Sequence, residues 1–253
     1  MLESIAVILV RTRFPENIGT TARAMANMGV SELILVNPER WEPDKAAILA
    51  TSLGKPLLDS VRVVDTLAEA VAPFTMSIGT TARTGGWRTD PLLPQEAAGE
   101  ARSISRQGGR VAFVFGPEDK GLDNSEIELC SHLVNIRTAV GNSSLNLAQA
   151  VLVLLYECHK ADTELSFSAQ DEGSRAWTRP ANRPEARRVT LEEENMLLAA
   201  LKEQLIAIDH LPADNADWFM KTMRRFLRKK GLRRNEFDMF MGICRQIKNK
   251  IGK

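Results

Sequence analysis

The chain has 253 residues, of which 44% are hydrophobic and 26% are charged, as in ordinary soluble globular proteins. This composition excludes a wholly disordered polymer, a collagen-like fibre and a membrane protein, and the length suits one large domain or one domain with a smaller companion. The net charge of +1 hides an asymmetry: residues 218–253 hold 12 of the 33 Lys and Arg residues but 2 of the 32 Asp and Glu residues. A charge of +10 on this segment, against −9 on the remainder, predicts a polyanionic partner.

Short apolar segments alternate with amphipathic ones over the first 160 residues, a pattern typical of an α/β fold with a parallel sheet covered on both faces. Predicted strands cover residues 5–10, 33–36, 61–64, 75–78, 111–115 and 133–136. Predicted helices cover residues 17–28, 46–53, 66–71, 125–130 and 145–159.

The composition changes after this region. Residues 164–188 are rich in Ser, Gly and Pro, which predicts a flexible linker at 163–189 between a first domain at 1–162 and a second at 190–253. The second domain begins at Thr190, which forms a predicted capping box with Glu193. Helical spacing of apolar residues then predicts a small all-helical domain.

Cysteine and histidine spacing predicts neither a disulfide framework nor a metal site. The three cysteines, Cys130, Cys158 and Cys244, form no CxxC pair and are expected to be buried thiols. The three histidines show no HExxH or other metal spacing. The N-terminal segment does not resemble a signal peptide, and the longest apolar stretch is shorter than the roughly 20 residues that span a bilayer. We therefore expect a cytoplasmic protein with no membrane segment and no metal.

The segments that follow the predicted strands carry the candidate chemistry, because ligands of open parallel sheets bind at the carboxyl ends of the strands. Residues 11–23, 79–83, 116–122 and 137–146 are rich in Gly, Ser, Thr and Asn. None contains GxGxxG or GxxxxGKS, which argues against a nicotinamide-dependent Rossmann enzyme. Each segment alone is compatible with ordinary turn glycines and helix caps, with Asn17 or Ser144 as the capping residue. The presence of all four segments in one chain is much less expected by chance.

Three of these segments, in this order, resemble the motifs of the SPOUT class of RNA methyltransferases, in its TrmH branch of ribose 2′-O-methyltransferases. The motifs are Asn17-x-Gly19-x-x-x-Arg23, Phe115-Gly116-x-Glu118-x-x-Gly121-Leu122 and Ile136-x(7)-Ser144-Leu145-Asn146-x-Ala148-x-Ala150. The resemblance covers residues 1–160. Segments 223–228 and 236–247 of the tail are similar to the TrmJ subgroup of that branch.

This resemblance implies a deep trefoil knot in the C-terminal part of the sheet, a homodimer whose active site is shared between protomers, and S-adenosyl-L-methionine as the methyl donor. It implies 2′-O-methylation of tRNA at the first nucleotide on the 5′ side of the anticodon loop, position 32, on cytidine or uridine. The residues expected to bind the donor are Thr80, Thr81, Ala82, Gly116, Ile136, Ser143, Ser144 and Leu145.

The resemblance also implies the catalytic residues Arg23, Asn17, Ser144, Glu118 and Asn146. Arg23 is expected to reach the reacting nucleotide from the partner chain, where a guanidinium, which has no free lone pair, acts by positioning and electrostatic stabilisation rather than as a base. Asn17 orients Arg23 or the RNA, and Glu118 anchors one of the two or is purely structural. Ser144 and Asn146 contact the donor or the ribose, or only cap a helix.

The basic tail is expected to contact phosphates, together with Arg23. The tail residues concerned are Lys221, Arg224, Arg225, Arg228, Lys229, Lys230, Arg233 and Arg234. The aromatic residues Trp218, Phe219 and Phe226 are expected in the core rather than stacked on bases. Two alternatives stay open: a ribose or base methyltransferase that acts on ribosomal RNA, and a non-catalytic RNA-binding dimer.

Overall fold

The computed structural model describes residues 2–83, 85, 90–139, 144–168 and 187–251, and it divides the chain into two compact units, Met1–Trp177 and Thr178–Lys253. Residues 169–186, which form most of the predicted linker, lie outside the described residues. Among the helices of the described part, none is long and apolar enough to cross a membrane.

Six strands of the described first unit form one parallel sheet with the order β3-β2-β1-β5-β4-β6. They are Ile5–Val10 (β1), Glu32–Val36 (β2), Arg62–Val64 (β3), Met76–Thr80 (β4), Val111–Phe115 (β5) and His132–Val134 (β6). Every residue of β1 and β5 is buried, as expected of central strands with both faces covered. The predicted α/β class and parallel sheet are confirmed, and each predicted strand lies within two residues of an observed one.

Helices cover the two faces of this sheet. In the described first unit they are Pro15–Met28 (α1), Pro43–Asp59 (α2), Leu67–Val71 (α3), Pro94–Arg106 (α4), Asn124–Glu128 (α5) and Leu147–Ser168 (α6). The sequence did not predict α4, whose buried residues are three alanines and Ile104. Alanines give little contrast between an apolar and a polar face, so the helical period was weak.

Helix α1 begins two residues earlier than the sequence predicted. Its N-cap is Phe14, and Pro15 occupies the first helical position, where the missing N–H of proline costs nothing. The alternative in which Asn17 only caps this helix is therefore excluded. Since Asn17 lies inside the first turn, its side chain is available for contacts outside the helix.

Gly19 of the first motif lies where α1 contacts α2. A Cβ atom at position 19 would lie 2.0 Å from the carbonyl oxygen of Ala46, so only glycine fits this contact. Gly54 on α2 has a similar role, since its Cβ would lie 3.1 Å from the backbone nitrogen of Arg23. The glycine of the motif thus permits the close contact of the two helices.

The sheet register places the motifs at one edge. Leu9 of β1 pairs with Phe115 of β5, and Gly79 of β4 pairs with Val114 and with Leu133 of β6. Because these strands are parallel and in register, the segments that follow them leave the sheet side by side. This edge is where candidate site residues converge.

The described part of the second unit contains three helices. They are Leu191–Ala207 (α7), Ala216–Lys230 (α8) and Arg234–Ile251 (α9). The predicted capping box is confirmed, because Thr190 Oγ1 accepts from the Glu193 N–H and the Glu193 carboxylate accepts from the Thr190 N–H. An apolar cluster that includes Leu197, Leu227 and Phe237 joins the helices.

Candidate active site

A cavity of about 430 Å³ opens at the carboxyl edge of the sheet, between the segments that follow β4, β5 and β6 and the start of α6. Seven of the eight residues expected to bind the donor line it. They are Thr80, Thr81, Ala82, Gly116, Ile136, Ser144 and Leu145. The eighth, Ser143, lies outside the described residues.

The segment after β5 folds back tightly against this cavity. A Cβ atom at Gly116 would lie 2.2 Å from the backbone nitrogen of Leu122, so a larger residue would force the loop apart. Gly121 adopts φ +65, and its N–H donates to the Pro117 carbonyl over 2.8 Å. Main-chain groups of residues 116–121 therefore form the wall of the cavity.

The segment after β4 is tied to its neighbours on both sides. The hydroxyl of Thr80 donates to the Val114 carbonyl over 3.2 Å, and the amide of Asn135 donates to the Thr81 carbonyl over 2.8 Å. The Arg83 guanidinium donates to the Lys120 carbonyl over 2.7 Å, which links this segment to the one after β5. Sequence reasoning did not single out Arg83, although it follows Thr80-Thr81-Ala82 directly.

A chain of side-chain hydrogen bonds joins all three motifs. Asn17 Nδ2 donates to Glu118 Oε1 over 2.6 Å, and Asn146 Nδ2 donates to Asn17 Oδ1 over 3.1 Å. Asn146 Oδ1 accepts from the Ala148 N–H over 3.0 Å at the start of α6. The expected anchoring of Asn17 by Glu118 is thus observed, and Asn146 rather than Ser144 accepts from the first turn of α6.

The groups at the two ends of this series of hydrogen bonds determine which atoms donate and which accept. An ionised carboxylate such as Glu118 can only accept, and a backbone N–H such as that of Ala148 can only donate. The amides of Asn17 and Asn146 must therefore both turn their NH₂ groups toward Glu118. Each side chain has one orientation that satisfies the whole chain, which gives a preorganised polar arrangement.

This polar chain lies beside the cavity. A neighbouring shallow depression is lined by Phe14, Asn17 and Asn146, and it shares Glu118, Ser144 and Leu145 with the cavity. The structure therefore brings together four of the five residues expected to be catalytic: Asn17, Glu118, Ser144 and Asn146.

Arg23 is not part of this group. Its side chain is exposed on α1, lines neither cavity, and makes no hydrogen bond or ion pair with the described residues. Arg23 follows Asn17 by six positions, which turns it about 120° around the helix from Asn17. Within one protomer, Arg23 therefore lies away from the hydrogen-bonded side chains of Asn17, Glu118 and Asn146.

Ion pairs brace the segment after β1 against the segment after β5. The Arg13 guanidinium lies 2.9 Å from Asp119 Oδ2, and its backbone N–H donates to Glu118 Oε2 over 3.2 Å. Arg11 pairs with Glu126 and lies 3.6 Å from Asp123. The hydrogen bond to Glu126 raises the pKa of Arg11. The backbone of Arg13 thus holds Glu118 in place, and Arg11 links the same segment to Asp123 and Glu126. The sequence reasoning selected neither arginine.

In the second unit, Arg228 does not belong to the basic surface. Its guanidinium is buried, donates to Glu194 Oε1 over 3.0 Å and approaches Asn195. The prediction that Arg228 binds RNA is wrong, because a buried and paired guanidinium cannot reach a phosphate. Burial raises the pKa of Glu194, and the charge of Arg228 opposes that rise.

The remaining predicted RNA-binding residues differ in exposure. Arg225 is exposed, Lys221 and Arg224 are half-buried, and Arg234 pairs with Glu193 and Asp238. Arg233 is exposed, and the side chains of Lys229 and Lys230 lie outside the described part.

The prediction that Trp218, Phe219 and Phe226 lie in the core is wrong, because all three are exposed. Met220 and Leu227 occupy the buried face of α8 instead.

Known proteins resemble this chain over most of its length. Residues 4–156 match the model of the family described as the SpoU rRNA methylase family. A Pseudomonas aeruginosa tRNA (cytidine/uridine/adenosine-2′-O-)-methyltransferase, TrmJ, is 36% identical over 96% of this chain and 93% of its own. A Klebsiella pneumoniae tRNA (cytidine/uridine-2′-O-)-methyltransferase, also TrmJ, is 32% identical over 98% and 97%. The crystal structure of TrmJ from Zymomonas mobilis ("Z. mobilis ZM4") superposes with a TM-score of 0.74 at 30% identity, covering 96% of this chain and 98% of that one.

Proposed function

This chain belongs to the SpoU rRNA methylase family, and we propose that it is a tRNA ribose 2′-O-methyltransferase that uses S-adenosyl-L-methionine. The observation that carries the proposal is the juxtaposition of the cavity with the hydrogen-bonded chain of Asn17, Glu118 and Asn146. The names of the TrmJ relatives, which match nearly end to end, support a tRNA substrate. We propose position 32 of the anticodon loop as the target, on cytidine or uridine.

The residues around the cavity fit the proposed donor. A volume of about 430 Å³ lies in the range of small-molecule sites. The wall at Gly116–Gly121 offers main-chain groups that a side chain would otherwise cover, and Thr80 and Thr81 add hydroxyls. Ile136 and Leu145 supply apolar surface for an adenine ring. We propose that these residues hold the donor.

When bound, S-adenosyl-L-methionine supplies a sulfonium methyl group that a ribose oxygen can accept by in-line displacement. The protein's own task is to orient the two reactants and to help transfer the proton of the ribose hydroxyl to a substrate phosphate or to water. The Asn17 amide, held from both sides by Glu118 and Asn146, is a rigid polar group at the mouth of the cavity. We assign it to positioning the ribose or the partner's arginine.

Arg23 completes the site from the partner subunit in this proposal. Its exposure on α1, away from both cavities, leaves its guanidinium available to a second copy of the chain. Exposed apolar side chains support a homodimer, because Leu152 and Tyr156 lie one helical turn apart on α6, with exposed fractions of 39% and 53%. Helix α1 packs against α6, so both elements belong to one surface.

Further features of the proposal follow from family membership. We propose that the chain after β5 passes through a trefoil knot at the edge that carries the cavity, and that residues 190–253 form an RNA-binding helical domain. The predicted linker at 163–189 joins it to the first domain, except that its first six residues, 163–168, belong to α6. Among the described residues, no group of three or more His, Cys, Asp or Glu side chains is placed to hold a metal ion. The proposed chemistry requires none, and we place it in the cytoplasm with its tRNA substrate.

The test is incubation of undermodified bulk tRNA with the full-length protein and methyl-labelled S-adenosyl-L-methionine, followed by nucleoside mass spectrometry. We expect labelled 2′-O-methylcytidine or 2′-O-methyluridine, and digestion with a sequence-specific ribonuclease should place the label at position 32. Label on a base, label on added ribosomal RNA alone, or no label would overturn the assignment. Label on a ribose elsewhere in tRNA would overturn only the position.

A further inference from the structure

One face of α8 carries three large aromatic side chains that the apolar cluster of the second unit does not use. Trp218, Phe219 and Phe226 are 63%, 43% and 60% exposed. Single exposed apolar residues are ordinary, but three rings on one helix form a patch that indicates an interaction surface.

Helix geometry places basic residues among these rings. Arg225 lies about 20° from Trp218 around the helix and Lys221 about 60° to the same side, whereas Phe226 lies about 80° to the other side, next to Phe219. The rings of Trp218 and Phe219 form an edge-to-face pair with centroids 5.1 Å apart and an interplanar angle of 89°. This pairing restricts both rings and leaves a face of aromatic surface beside cationic groups.

The acidic residue beside the rings is compensated. Asp217 accepts a hydrogen bond from Lys202 Nζ over 2.7 Å. This hydrogen bond, together with the charges of Lys202, Arg224 and Lys221, lowers the pKa of Asp217. Lys202 therefore offsets the charge of Asp217, and Lys221 and Arg225 beside the rings favour an anionic partner.

We propose that this face binds unpaired nucleotides of an RNA, with bases stacked on Trp218 and Phe226 and phosphates beside Lys221 and Arg225. The inference rests on the proposed function for the identity of the substrate as RNA, and it adds that the second unit recognises a single-stranded segment. Base faces are accessible to aromatic side chains in loops but hidden in duplexes. Cations that flank the rings match a nucleotide backbone better than an apolar protein surface.

The experiment measures binding of the full-length protein to a fluorescent, unstructured oligouridine of about ten nucleotides, a length in the range of single-strand sites. Trp218→Leu and Phe226→Leu keep apolar bulk but remove the aromatic face, and each should weaken binding by about five- to fiftyfold. Trp218→Phe and Phe226→Tyr should stay within about threefold of wild type. Met239→Ala, which truncates an exposed apolar residue of α9, is the matched control and should leave binding unchanged.

The outcomes separate this inference from the proposed function. If the leucine variants bind oligouridine as wild type does, stacking on α8 is wrong, while methylation of tRNA by the wild-type protein would show that the function stands. If the leucine variants bind normally but sediment as a smaller species, the face is an interface between copies of the chain. If the wild type binds oligouridine through these rings but methylates no tRNA, the proposed function fails instead.

Discussion

Asn17 and Glu118, 101 positions apart in the sequence, are joined by a hydrogen bond of 2.6 Å between Asn17 Nδ2 and Glu118 Oε1. This contact connects the first motif with the second, and Asn146 extends it to the third over 3.1 Å. The carboxylate sets the direction of both amides because it can only accept. We therefore propose that Glu118 is a positioning residue whose charge, and not only its shape, maintains the site.

Replacement of Glu118 by glutamine tests this role. The carboxylate accepts from Asn17 Nδ2 on one oxygen and from the Arg13 N–H on the other, so an amide would place an NH₂ group against one of these donors. We expect Glu118→Gln to lower kcat for tRNA methylation at least about tenfold, since a hydrogen bond to a charged group contributes roughly 1.5–3 kcal/mol. The measurement is steady-state transfer of labelled methyl groups.

The control is Glu39→Gln, which removes an exposed carboxylate that lies 3.2 Å from the Arg13 guanidinium and makes no hydrogen bond to Asn17 or Asn146. We expect wild-type kcat for this variant, and thermal unfolding should show both proteins folded at the assay temperature. A Glu118→Gln protein that keeps wild-type kcat would show that the polar chain has no part in turnover.

Gly19→Ala should destabilise the first unit. The added Cβ would lie 2.0 Å from the Ala46 carbonyl oxygen, so α1 and α2 must separate. Overpacking of this kind costs about 1–3 kcal/mol or more, measured as a lower urea midpoint. Gly99→Ala on α4 is the matched control, because nothing lies within 4 Å of its Cβ position, and it should raise the free energy of unfolding by about 0.4–1 kcal/mol. Equal midpoints for the two variants would contradict the close helix contact.

The sequence predicted the sheet well because buried parallel strands are short runs of apolar, β-branched residues, such as Ile5–Val10 and Val111–Phe115. It missed α4, whose buried face consists mainly of alanine. It also misplaced the start of α1, because Asn17 is a good capping residue but Pro15 fixes the first turn two positions earlier.

The candidate site, too, was only partly predictable from the sequence. The motifs indicated which residues would meet, and the sheet register explains why the segments at Gly79 and Gly116 do so. What the sequence could not give is the partner of each side chain. Arg228 and Arg225 are three positions apart in one basic segment, yet the helix turns the first into the core and the second to solvent.

Arg228→Met should therefore act on stability and not on RNA contact. Removing one partner of a buried pair leaves the Glu194 carboxylate uncompensated, which typically costs about 3–5 kcal/mol. Because burial already raises the pKa of Glu194, the loss should be smaller at pH 5 than at pH 8, where the folded state must hold the charged form. Thermal unfolding at the two pH values measures this, and Arg225→Met should unfold like wild type at both.

The Cys158 thiol should be inert in the folded protein. Burial, with smaller contributions from Glu157 and Asp162, raises its pKa to about 12. We expect no modification by a thiol reagent at pH 8.5 in native buffer and full modification in urea. Since the folded-state pKa is raised from 9.0, the stability that the neutral thiol contributes is complete below that pH and is lost as pH rises toward about 12. Rapid native labelling at Cys158, identified by peptide mass spectrometry, would contradict this environment.

A site shared between two protomers and a site within one protomer predict different methylation activities for mixed dimers. Arg23→Ala and Glu118→Gln should each abolish most methylation in homodimers, because every site then lacks one of the two groups. In a mixed dimer, one site combines the wild-type Arg23 of the first protomer with the wild-type Glu118 of the second, while the other site lacks both.

Co-expression of the two variants with different affinity tags, followed by tandem purification, isolates that mixed dimer. We expect about half of the wild-type activity per dimer, or about a quarter in an unsorted equal mixture, since random pairing of protomers makes half of the dimers mixed. Arg23→Ala homodimers should still bind S-adenosyl-L-methionine, because Arg23 does not line the cavity. If the purified mixed dimer stays inactive, Arg23 and Glu118 must serve the same site from the same chain, and the exposure of Arg23 on α1 would need another cause.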